Sequence, residues 1–130
     1  MFKKVVTYTD YNDVQRTETF FFNLTKAEVL EMELGTVGGL SAMIQGVIDA
    51  KDTPALIKIF KELVLKAYGE KSADGKRFVK SPELSEAFSQ TEAYSEIFME
   101  LATNDEAASA FVKGITPKGL ENYAQNKLPE

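Results

Sequence analysis

The spacing of apolar residues changes once along the chain. Up to residue 22 it loosely follows a period of two; beyond residue 25 it settles to three and four. Lys4 to Thr9 is rich in β-branched residues, and Val14 to Phe22 sets threonines and aromatics in partial alternation, so two strands are predicted. Asp10-Tyr11-Asn12-Asp13 between them is a turn by composition. Asp13 stands where a tight hairpin turn favours glycine, which predicts a longer or strained turn. Phe20 and Phe22 share one face of the second strand and Phe21 takes the other. Two strands alone are marginal, so this hairpin must pack on the rest of the chain.

Helices are predicted from there on. Thr25-Lys26-Ala27-Glu28 is a capping box that opens a helix ending near Gly35. Leu40, Met43, Ile44, Val47 and Ile48 form one stripe of a second helix. Asp52-Thr53-Pro54 starts a third, with Leu56, Ile59, Phe60, Leu63 and Ala67 as its main stripe and Gly69 as its C′ residue. Ile57, Val64, Leu65 and Tyr68 widen that stripe beyond what one core contact needs, which marks a helix that is central or partner-bound. Residues 70–80 read as a charged loop with an Asp74-Gly75 turn and a short Arg77-Phe78-Val79 segment. Ser81-Pro82-Glu83 begins another helix, and Ser89-Gln90-Thr91-Glu92 reads as a second capping box that breaks and redirects it. Tyr94, Ile97, Phe98, Leu101 and Ala102 carry the next stripe; Asn104 caps a last helix with Ala108, Phe111, Val112 and Ile115 inside. The fold class is therefore mainly α: an N-terminal β-hairpin (1–22) packed on a five- to six-helix bundle (25–115), in a single domain of residues 1–117. Residues 118–130 are polar and expected to be a mobile tail. Phe20, Ile44, Phe60, Leu63, Ile97, Phe98 and Phe111 are the expected core.

Composition narrows the function. Neither histidine nor cysteine occurs among the 130 residues, which removes the usual general base, thiolate metal sites and every Ser-His or Cys-His arrangement. An enzyme would have to run on carboxylates, Lys or Tyr, and no convergent motif points to one. No catalytic, metal or cofactor site is expected. A net charge of −5 argues against nucleic acid as a partner, and no apolar run reaches the ~18 residues of a membrane span. Gly69…Gly75-Lys76-Arg77 superficially matches a phosphate-binding loop, but its glycine spacing is one residue too long and Arg77 replaces the Ser or Thr. Glu28, Glu31 and Glu33 are best read as a solvated helix face, as are Glu96 and Glu100 one turn apart. Asn23-Leu24-Thr25 fits a helix cap better than a glycosylation site. Candidate partner-binding residues are Ile57, Val64, Leu65 and Tyr68 on the third helix, and Lys76, Arg77 and Phe78 after it.

Six segments carry a resemblance. Thr7-Tyr8-Thr9-Asp10-Tyr11-Asn12, Phe22 to Glu28, Ile59 to Leu63, Lys66 to Ser72, Asp74 to Phe78 and Ser89 to Tyr94 resemble the tail assembly chaperones of siphophages and prophages of Gram-positive bacteria, over about residues 1–117. Asp13 departs from the glycine associated with that turn, and the stretch after Pro117 has no counterpart. The resemblance implies a protein of the host bacterial cytoplasm, not kept in the mature virion. Its partners would be the tape-measure protein and the tail-tube protein, the latter through a longer frameshifted product. The excess apolar surface on the third helix predicts, in addition, self-association when no client is present. Of the Lys-Gly pairs that permit a slippery codon run, Lys113-Gly114 and Lys118-Gly119, the second is favoured because it follows the organised helices. Another small virion or morphogenesis protein, such as a head–tail connector or tail completion factor, is the alternative.

Overall fold

A computed structural model describes residues 1–34 and 53–117. It opens, as the alternation predicts, with two antiparallel strands, β1 (Phe2–Thr9) and β2 (Gln15–Phe22), in a register that sets Phe2 against Phe22 and Thr9 against Gln15. The turn between them is the longer kind. Asp13 sits at φ 61°, and the Asp10 carboxylate organises the loop around it. Its Oδ1 accepts the backbone N–H groups of Asn12 and Val14 at 2.8 and 3.0 Å, and its Oδ2 meets Arg16 Nε at 2.5 Å. The Arg16 guanidinium, helped by those N–H groups, holds the Asp10 carboxyl below its ordinary value.

Five helices are described: α1 (Lys26–Leu34), α2 (Thr53–Ala67), α3 (Pro82–Ser89), α4 (Glu92–Thr103) and α5 (Asp105–Ile115). Their starts follow local chemistry. Thr25 Oγ1 accepts the Glu28 N–H at 3.1 Å while Glu28 reaches back to the Thr25 N–H at 2.9 Å, a complete capping box. Ser81 and Asn104 cap α3 and α5. The cap of α4 is Thr91, which accepts the Tyr94 N–H at 3.1 Å. Ser89, expected to open that box, instead ends α3 and donates to the Glu86 carbonyl, so the break is real and its cap lies two residues later. The expected second helix, with Ile44 and its neighbours, lies outside the described residues, as does the tail from residue 118.

The sheet is larger than the alternation predicts. The hairpin is not alone: β3 (Tyr68–Lys71) and β4 (Phe78–Val79) extend it into an antiparallel sheet of order β1-β2-β3-β4. Gly69 is therefore no helix cap. It pairs with Phe21 of β2 and has no side chain because Phe78 lies over it; a Cβ there would fall 2.7 Å from the Phe78 ring and 2.7 Å from the Val79 carbonyl oxygen. Asp74-Gly75, read from the sequence as a turn, closes the β3–β4 hairpin, with Gly75 at φ 74°.

Phe22 is the centre of the core. It is fully enclosed, with the rings of Phe2, Tyr68, Phe88 and Phe111 at centroid distances of 6.3, 5.9, 5.8 and 5.5 Å. β1 and β2 turn Phe2, Val6, Phe20 and Phe22 toward the helices, whose Leu63, Ile97, Phe111 and Ile115 close over them. Phe20, Phe60 and Phe98 are only half-buried, against expectation. Phe98 stacks on Tyr94 at 5.8 Å, and Phe60 borders an open groove. No helix among the described residues is long and apolar enough to cross a membrane.

Candidate functional site

Burial along α2 is uneven. Its C-terminal half sinks Leu63, Val64 and Ala67 into the core; its N-terminal half leaves Leu56 and Phe60 half-buried and Ile57 exposed. α5 explains where that bare half points. Phe111 and Ile115 turn to the core, while Ala108 and Val112, with Asp105 and Ser109, occupy the adjacent face at i, i+3, i+4 and i+7 spacing. Between the two helices, floored by Leu101 and Ala102 at the end of α4, runs a groove of about 490 Å³. Its walls are mainly apolar. Asp105 stands toward one end of the α5 wall and Lys113 toward the other, about 12 Å apart along the helix. Neither has an ion-pair partner among the described residues. A surface of this kind offers apolar area to a shape that fits it, with a charge at each end to set direction.

Other charges are committed to holding the fold. Lys80 donates to the Asn23 carbonyl at 2.6 Å and to both Glu28 oxygens at 2.8 Å, tying the start of α1 to the end of β4. Burial pushes the Glu28 carboxyl up; Lys80 and the Thr25 N–H outweigh it and leave the group below its ordinary value. Glu28 is thus a structural clamp and not part of a solvated face. Lys4 likewise holds Glu100 at 2.7 Å.

A family model described as phage tail assembly chaperone matches residues 1–130. The chain belongs to the phage tail assembly chaperone family. The match takes in residues 118–130, for which the sequence alone suggests no counterpart. No curated protein and no solved structure matches the chain.

For this member of the phage tail assembly chaperones, the structure sorts the candidate residues into different places. Ile57 lines the groove. Val64 is fully buried, so it belongs to the core and leaves the candidate surface. Leu65 is half-buried against the core, and its carbonyl accepts Ser85 Oγ of α3 at 2.9 Å. Tyr68 stacks on Phe88 with centroids 4.1 Å apart. Lys76 and Arg77 are exposed at the tip of the β3–β4 hairpin, and Phe78 covers Gly69 on the outer sheet face. Helical spacing alone puts six of the groove residues, Leu56, Phe60, Leu101, Ala102, Ala108 and Val112, in the inward stripes. The width of the α5 stripe is the signal that separates two of them: Ala108 and Val112 lie one face away from Phe111 and Ile115.

Proposed function

We propose that this chaperone binds the tape-measure protein as an amphipathic helix laid in the α2–α5 groove, and helps bring tail-tube subunits to it during tail assembly. The single observation that carries this reading is the groove itself: Leu56, Ile57 and Phe60 face Ala108 and Val112 across open space, with core behind them. A long tape-measure helix presents apolar residues at i, i+3, i+4 and i+7, the complement of such a groove. The protein works by binding and catalyses nothing, a reading supported by a sequence without histidine or cysteine. It acts in the host bacterial cytoplasm and is absent from finished virions.

Co-expression tests it. The cognate tape measure should stay soluble with this chain and precipitate without it, and purified tails should lack the chain. Ile57→Glu combined with Val112→Glu should abolish protection, while Lys76→Glu with Arg77→Glu should leave it intact. The contacts are mainly apolar, so a few hundred millimolar salt should not dissolve the complex. A tape measure equally soluble alone, or this chain stoichiometric in tails, refutes the proposal.

A further inference from the structure

β1 ends the sheet order, and among the described residues it pairs with β2 alone. Its other edge is eight residues long, without proline or glycine. Folded proteins usually blunt such an edge. Here the lysines that would do so, Lys3 and Lys4, gather at one end and leave Val5 to Thr9 without a charge. A slot of about 350 Å³ runs beside this strand. One wall is the continuous run Lys4 to Thr7; because residues of both parities line it, the slot follows the edge and not one face. The other wall is a face of α4 bearing Glu96, Met99, Glu100 and Thr103. Val5 is 62% exposed and Met99 56%, so apolar side chains flank the slot on both sides.

We propose that the slot takes β1 of a second copy of this chain, paired antiparallel, so that two sheets join into one across a two-fold axis. Charge selects both the occupant and its direction. α4 runs opposite to β1: Lys4 meets Glu100 at 2.8 Å, and Tyr11 donates to Glu92 at 2.9 Å. Glu96 therefore lies beside the later half of the strand, with no ion-pair partner among the described residues. An antiparallel copy brings its Lys4 to that end, where the ammonium, already bound to that copy's own Glu100, would bridge Glu100 and the facing Glu96. A parallel copy would set Lys3 and Lys4 against their own duplicates. With the axis at Val6, opposite residues keep the same parity: Lys4 faces Tyr8 on the α4 side, and Val5 faces Thr7 on the outer side, where Val5 gains cover. The pairing does not depend on the client groove, which uses Leu101 and Ala102 on another side of α4.

The full chain tests this by analytical ultracentrifugation and cross-linking. It should sediment as a dimer at about 100 µM, an ordinary range for a modest interface. Val5→Lys, at an exposed outward position, should weaken the dimer at least tenfold and leave the circular dichroism spectrum unchanged. The chain has no cysteine. Val5→Cys with Thr7→Cys should therefore oxidise to a covalent dimer, while Val5→Cys alone should not, since Val5 of each copy faces Thr7 of the other. A chain that stays monomeric at that concentration, or a dimer unchanged by Val5→Lys, overturns the proposal.

Discussion

Gly69 discriminates between two structures for the end of α2. As a helix C′ residue it would take a left-handed conformation, and Asn would be nearly tolerated there. As a strand residue it has negative or extended φ, and its missing side chain is the space that Phe78 fills. Gly69→Ala puts a methyl group 2.7 Å from the Phe78 ring and 2.7 Å from the Val79 carbonyl oxygen, where ordinary contact begins near 3.4 Å. The ring can swing; the carbonyl belongs to the β3–β4 ladder and moves only with the strand. Overpacking of this kind costs about 1–3 kcal/mol. Alanine regains about 0.5–1 kcal/mol by restricting the unfolded chain. The net expectation is a loss of about 1–2 kcal/mol, and Gly69→Asn should lose more. In a Phe78→Ala background the cost of Gly69→Ala should shrink but not vanish, since the Val79 carbonyl remains. Urea denaturation followed by circular dichroism measures all four corners of this cycle. A neutral or stabilising Gly69→Ala, or Gly69→Asn milder than Gly69→Ala, would refute the strand geometry.

Other expectations can be measured in the same way. Phe22→Ala empties the site between four rings and should cost about 4–5 kcal/mol, whereas Phe60→Ala and Phe98→Ala, both half-buried, should cost about 1–2 kcal/mol; thermal melts of the three variants give the order. The Glu28 carboxyl is lowered in the folded state, so its contribution is present above the ordinary value of 4.5 and is lost as pH falls through the folded value. The stability gap between the native chain and Glu28→Gln should be about 1 kcal/mol at pH 7 and should close toward pH 3, and a gap that widens on acidification contradicts the Lys80 clamp. At the level of the gene, a slippery run at the codons for Lys118-Gly119, followed by an overlapping downstream frame, should yield the longer product; sequencing the locus decides it.

The features legible in the sequence are those set locally. Thr25 and Glu28 are three residues apart and cap α1 whatever the rest of the chain does, and Asn104 does the same for α5. Asp13 announces an unusual turn because it stands where glycine would relieve the backbone. β3 is hidden for the opposite reason. Tyr-Gly-Glu-Lys has no strand signature; it becomes a strand because Phe21 and Phe22, nearly fifty positions earlier, offer a ladder. The candidate site is half visible. Excess apolar surface on α2 can be read from the residues, but periodicity cannot say which half of a helix has a neighbour. It puts Val64 outward and Phe60 inward, the reverse of their burial.

That division of α2 leads to a prediction about exchange. Amides in its second half, around Leu63 to Ala67, sit over side chains in the closed core and should open only with the whole domain. Those around Leu56 to Phe60 border the groove, lack cover on one side and should exchange through smaller openings. A client that binds the groove stabilises the closed form by mass action, about 2.7 kcal/mol at a hundredfold excess over Kd, which slows exchange through those openings about a hundredfold. Hydrogen exchange with a tape-measure peptide present should therefore flatten the gradient along α2, and should slow residues 105–113 of α5 as well. Slowing confined to residues 70–80, with α2 unchanged, would place the client on the β3–β4 hairpin and refute the groove as its seat.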